Sequence, residues 1–339
     1  MPRFRAVLRP GILRPGILAL VALLTLPTFI PAQDASDRHD DLPPSHSTVP
    51  ELYATGFVFA EGPALDEQGD LFVVNYRELG TIGLITADGA AGIFCDLREQ
   101  APLEGRQPQA NGLKIDSERR LIVADAGGGR LLRVSEDGQQ VEVLTDRWED
   151  ARFNAVNDVA LDRIGNIYFT DPGKSSKENP IGSVYRYDIV TKTVSRLDTG
   201  LAYPNGLAVT MDQRHLCVSE SQQYRVLIYD LTPEGKAINR RILVDFPDDT
   251  EGSFKGGRFF PDGMILDAKN RLYVAMWRGK VVNVVDVATG ELLRQYDAGG
   301  DQATNCHFHD GWLYTTIAAK EAVFRQKLGV EGFDYNGSP

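Results

Sequence analysis

Apolar and polar positions alternate with a period of two from about residue 52 to 328, and no long stretch carries the 3.6-residue rhythm of an amphipathic helix. That alternation predicts strands with one buried face. Turn residues interrupt it at short intervals, as in Asp66-Glu67-Gln68-Gly69, Asp88-Gly89, Glu136-Asp137-Gly138, Asp162-Arg163-Ile164-Gly165, Pro233-Glu234-Gly235 and Thr289-Gly290. Six times a polar residue, usually Asn or Asp and usually followed by Gly, opens an apolar run: at Glu61, Asn111, Asn157, Asn205, Asp262 and Asn305. Most copies continue through a turn into a second run, such as Leu71-Phe72-Val73-Val74 or Leu272-Tyr273-Val274-Ala275. The copies start 43 to 57 residues apart, the size of one four-stranded propeller blade. The expected fold is an all-β, six-bladed β-propeller over residues 51–330, with four-stranded blades around a central metal-binding channel, followed by a tail at 331–339.

Blades are arranged radially, so a position shared by six repeats becomes a ring of six side chains about one axis. Here every member is an oxygen donor. Rings of carboxylates and amides suit a hard cation such as calcium, which takes six to eight oxygens. Asn-Gly and Asp-Gly are also good turn dipeptides. Turn chemistry does not account for Glu61 in the same slot, which favours the metal reading.

Composition narrows the partners. The net charge is −11, and loss of residues 1–32, with four Arg and no acids, would take it to about −15. Phosphate-backbone affinity needs clustered Lys and Arg, so no nucleic acid is expected. Those first residues have the form of an export signal: Arg3, Arg5, Arg9 and Arg14, an apolar stretch from Ile17 to Leu26, and a cleavage site near Ile30-Pro31-Ala32. A membrane anchor is the alternative, but Pro27 and Pro31 interrupt a stretch marginal for a span. The mature protein is expected to be periplasmic or extracellular, without stable membrane insertion, and residues 33–50 to form a polar linker. Cys95, Cys217 and Cys306 allow at most one disulfide, and a core of this size needs none.

Two irregular loops, Asp171–Pro180 and the acidic Asp245–Gly252 leading through Lys255-Gly256-Gly257-Arg258, are places for substrate contacts or plain solvated surface. Asn154 and Arg152 lie just before Asn157 and are candidates for holding an anionic or hydroxylated ligand. His307 and His309 share a strand face, but no third N or S ligand is apparent, so a buried structural histidine is the better reading.

Taken in order, Ala60-Glu61-Gly62-Pro63, Arg152-Phe153-Asn154-Ala155-Val156-Asn157-Asp158-Val159, Tyr168-Phe169-Thr170-Asp171-Pro172, Tyr203-Pro204-Asn205-Gly206-Leu207-Ala208-Val209, Pro261-Asp262-Gly263-Met264 and Thr304-Asn305-Cys306 resemble the family of gluconolactonases, senescence marker protein (regucalcin) and luciferin-regenerating enzyme. The pieces extend over residues ~55 to ~325 and are specific together, though each alone is weak. The resemblance implies one divalent metal at the channel, calcium first and Mg²⁺, Mn²⁺ or Zn²⁺ as alternatives, held by Glu61, Asn157, Asn205 and Asp262. Asn111 and Asn305 would then face the substrate or support the ligands. One departure is Ala126, where secreted gluconolactonase-like relatives often carry His; if that His assists water activation or lactone binding in them, the activity is altered or absent here.

The expected activity is metal-dependent opening of a sugar or related lactone, with Asp262 as general base. Two alternatives stand beside it: a metal- and ligand-binding propeller without turnover, and a metal-dependent aryl esterase or organophosphate hydrolase with the same ring and different loops. Should Asp262 prove only a ligand, Asp125 and Glu220 are the next candidates for the base.

Overall fold

The computed structural model describes residues 41–78, 80–246 and 259–336. The export stretch and most of the acidic loop after Asp245 lie outside these residues. Among the described residues six four-stranded antiparallel sheets form, five of them runs of consecutive strands, with one additional two-stranded ribbon at Arg147–Trp148 and Ala151–Arg152. Inner strands such as Ala60–Leu65, Ala110–Ile115 and Pro204–Val209 are buried along their whole length, whereas outer strands such as Ala91–Asp96 and Val141–Thr145 are largely exposed. Burial therefore falls from axis to rim, which explains the apolar inner runs and the polar outer ones.

No blade buries its faces alone. The hydrophobic core divides among the six blade interfaces. In one, Phe72, Val74 and Ile82 of the first blade pack against Leu113, Leu121 and Leu132 of the second. The ring closes by mixed pairing: the first strand, Glu51–Thr55, runs antiparallel to Ala322–Lys327 as the outer strand of the last blade. That pairing ties the two ends of the propeller together.

The segment expected to be a linker, residues 33–50, packs from residue 41 onward. Leu42 is buried among Tyr273, Val284 and Tyr296, and Asp41 pairs with Arg271 at 2.7 Å. The Tyr296 hydroxyl donates to the Pro43 carbonyl at 2.8 Å. At the other end the tail crosses the bottom of the channel. Phe333 N–H donates to the Leu266 carbonyl at 2.9 Å, and Phe333 and Tyr335 line the lower channel wall.

A repeated brace fixes the chain as it approaches the axis. The last residue of a second strand accepts backbone N–H groups from the segment ahead of the inner strand: Asp125 from Gln109 at 2.7 Å, Asp171 from Ala155 at 2.8 Å, Glu220 from Ala202 at 2.8 Å. Each carboxylate satisfies donors that the open end of a blade would otherwise leave unpaired.

Candidate functional site

The first strand of a blade, or in the third blade the segment just ahead of it, delivers the ring residue at the channel mouth, and in several blades a β-bulge aims it. Ala110 pairs with Asp125 and Leu113 with Val123, so Asn111 and Gly112 together face Ala124. In the same way Asn205-Gly206 faces Ser219, and Asp262-Gly263 faces Ala275. Two residues opposite one tip the first side chain out of the ladder and toward the axis. The glycine that follows is dictated by contact with the next blade. A Cβ on Gly112 would overlap the Asp158 carboxylate, and one on Gly263 the Asn305 amide, while neither glycine has a positive φ. The turn explanation for these dipeptides therefore falls away.

The register moves one member of the ring. In the last blade Ala303 pairs with Ile317 and Asn305 with Thr316, so Thr304 is the displaced residue. Gln302, two positions before Thr304, repeats the positive φ of Phe59 and Tyr203, which stand two positions before Glu61 and Asn205. Thr304 thus occupies the ring position, and Asn305 the place of the glycine. Asn305 is buried beneath the ring, where its amide donates to Asp158 at 3.3 Å.

Glu61, Asn111, Asn157, Asn205, Asp262 and Thr304 line one cavity of about 420 Å³. Its upper wall is aromatic, made by Phe59, Tyr76, Tyr203, Phe260 and Trp277, with Gln222 and Arg278 as polar members. Phe59 packs against Tyr76 and Trp277 with ring centroids 5.3 and 5.7 Å apart. Phe59, Tyr203 and Arg278 all adopt φ between 61° and 67°. Side chains of that size avoid the left-handed region, so the mouth stores backbone strain that the surrounding packing must hold.

Hydroxyls lock the ring backbones from neighbouring strands. Thr170 donates to the Asn205 carbonyl and Ser219 to the Asp262 carbonyl, both at 2.8 Å, and Thr304 donates to the Ala60 carbonyl at 3.0 Å.

Burial, then the neighbouring charge of Asp158, holds the Glu61 carboxyl above the usual range, and burial together with Glu61 raises Asp262. Burial and then the Glu61 charge also raise the Tyr76 phenol, which keeps it a hydrogen-bond donor. Two buried carboxylates facing each other repel, and a divalent cation between them would relieve that repulsion. The donor set of two carboxylates and two amides, all hard oxygens, fits such an ion. Among the described residues there is no cluster of three or more His, Cys, Asp or Glu placed to hold a metal. Any site here therefore depends on the amides as well.

Other residues singled out in the sequence lie elsewhere. Arg152 is exposed and pairs with Asp146 at 3.1 Å, and the exposed Asn154 donates to Asp171 at 3.1 Å, so neither lines the cavity. Asp125 and Glu220 are committed to Arg130 and Arg225, each at 2.7 Å. Ala126 is buried, with its N–H on the Gln109 carbonyl. His307 donates from Nδ1 to the Phe308 carbonyl at 3.0 Å, and burial lowers its pKa to about 3, so the imidazole is neutral. All three cysteines are free and buried. Sequence reasoning missed Asp158, a third buried carboxylate, and the aromatic wall. The pair Asn157-Asp158 was the available signal, since an acid stands there where glycine is usual.

The family described as SMP-30/Gluconolactonase/LRE-like region matches residues 59–319. The chain is 27% identical over 301 residues to a gluconolactonase of Zymomonas mobilis, covering 84% of this chain and 83% of that protein. It is 28% identical over 269 residues to the diisopropyl-fluorophosphatase of Loligo vulgaris, covering 74% and 82%. The calcium-binding protein regucalcin of Agrobacterium tumefaciens superposes with a TM-score of 0.66 at 18% identity, over 86% of this chain and 97% of that one, which shows a common fold. No helix of the described residues is long and apolar enough to cross a membrane.

Proposed function

This chain belongs to the SMP-30/gluconolactonase/LRE-like family, and from that premise we propose that it is a metal-dependent hydrolase that opens the ring of a lactone. The observation that carries the reading is the convergence of Glu61, Asn157, Asn205 and Asp262 from four blades on one cavity. The likeness to a gluconolactonase supports the reaction, and the likeness to a calcium-binding fold relative supports calcium as the ion. Bound by those four residues, a divalent cation would polarise the lactone carbonyl as a Lewis acid.

The chain's own groups supply the rest. Water adds to the carbonyl carbon and the ring C–O bond breaks, giving a hydroxy acid. Asp262 takes the proton from the attacking water and returns it to the departing alkoxide. A carboxylate beside a metal-bound water can accept its proton through a small movement, which suits this task. Glu61 stays fixed by the Gly62 N–H at 2.5 Å. Tyr76, Tyr203, Gln222 and Arg278 orient the substrate from the wall.

The aromatic wall favours a second reading of the substrate. Phe59, Phe260 and Trp277 offer apolar surface and few partners for hydroxyls, so a lactone or ester with an aryl or alkyl substituent suits them better than a polyhydroxylated one. The test is a screen of purified protein against aldonolactones, aryl lactones and simple esters, with chelator and with each metal restored. Lactone turnover lost to chelator and regained with calcium is expected. Turnover of esters alone moves the protein to the esterase reading, and no turnover of any substrate with metal bound makes it a binding propeller. We also propose that the chain is exported, supported by the arginines and apolar run within residues 1–32. Protein recovered from the cell envelope or medium should then begin near Gln33.

A further inference from the structure

Below the ring lies a second layer of channel residues, defined by the same strand register in every blade. Ala64 pairs with Phe72, Lys114 with Ile122, Ala160 with Tyr168, Ala208 with Cys217, Ile265 with Tyr273 and His307 with Tyr314. Four of the six are Ala or Ile, His307 is neutral, and Lys114 is the one cation. The lower channel around it is apolar, with Leu161, Val209, Met264 and Phe333 lining a small cavity that Lys114 shares.

A lysine is seldom found in such surroundings without a partner. Lys114 is only 5% exposed, and its ammonium donates to the Leu113 carbonyl at 3.3 Å. No ion pair holds it among the described residues. Its counter-charges are one layer up. Gly112, two residues before Lys114 and so on the same strand face, is the residue against which the Asp158 carboxylate packs. Lys114 lies within electrostatic reach of both the Asp158 and the Glu61 carboxylates.

We infer that Lys114 is the built-in counter-charge of the channel: when Glu61, Asp158 and Asp262 above it are all ionised, three carboxylates and one ammonium leave two negative charges, which one divalent cation neutralises. The equivalent positions of the other blades carry Ala, Ile or the neutral His307 and no charge, so the lysine is there for its charge and not for its volume. The inference rests on the cation reading for its stoichiometry, but Lys114's role toward the carboxylates stands by itself.

The test compares the full chain with Lys114→Met, which keeps the length of the side chain, and with Lys114→Met combined with Asp158→Asn, which removes one charge of each sign. Calcium is titrated calorimetrically, and melting is followed in chelator and in calcium. The parent should bind one ion. Lys114→Met should bind calcium at least about tenfold more tightly, because a nearby positive charge is gone. It should also melt lower than the parent in chelator and gain more from calcium. The double variant should return both readings toward the parent. Equal calcium affinity and equal melting for Lys114→Met and the parent overturn the inference. So does a double variant that stays as unstable or insoluble as the single one, which would make Lys114 a packing residue. If the parent binds no divalent ion, the metal reading fails separately, and the melting of the two variants in chelator still decides the role of Lys114.

Discussion

Asp262 has two assignments, ion ligand and base, and they separate by substitution. Asp262→Asn and Glu61→Gln should each weaken calcium binding strongly while the fold persists, since both side chains are replaced by isosteric amides. At saturating metal Asp262→Asn should regain occupancy yet hydrolyse lactone about 10²–10⁴-fold more slowly, because an amide takes no proton at neutral pH. A parental rate in that variant would leave Asp262 a ligand only. Gly263 tests the bulge. An added Cβ meets the Asn305 side chain, so Gly263→Ala should destabilise by about 1–3 kcal/mol. Gly92, in an exposed strand with nothing close to its Cβ position, is the control: Gly92→Ala should be neutral or mildly stabilising in the same denaturant titration.

At the scale of elements, the segment around Asp41 and Leu42 fastens the start of the chain to the fifth blade. Asp41 accepts from both terminal nitrogens of Arg271, and that interaction holds its carboxyl at about 2. A depressed carboxyl stabilises the fold fully above its unfolded pKa of 3.8 and loses that contribution as pH falls through about 2. Asp41→Asn should therefore lower stability by about 0.5–1 kcal/mol at pH 7, discounted for the partial exposure of the pair. The difference from the parent should close as pH is lowered from 4 toward about 2, as read by parallel melts. A constant gap across that window would show that packing of the segment, and not the charge, is what the substitution disturbs.

For the whole molecule, closure of the ring makes the interior thiols a sensor of folding. Burial pushes Cys95, Cys217 and Cys306 up to about 12. Thiolate is the reactive form, so a thiol reagent at pH 8 should label none of the three in the folded protein and all three in denaturant. Labelling of Cys306 under native conditions would show that the interface between the fifth and sixth blades opens.

The sequence by itself determined the blade number, the strand class and five of the cavity's six ring positions. Each of these is a local property: period-two burial, turn residues and a signature repeated at blade length appear in linear order. Glu61 was readable because it departs from turn chemistry, and Asn205 and Asp262 because each opens an apolar strand. What only the tertiary structure decided depends on residues from different blades meeting at one axis. The bulge register put Thr304 in the ring and Asn305 beneath it, a shift of one residue that reverses which side chain faces the channel. Closure set Asp158 against Gly112 and left Lys114 one layer below the carboxylates. It also gathered Phe59, Tyr203 and Trp277, far apart in the chain, into one wall, because radial packing brings equivalent ends of distant strands together.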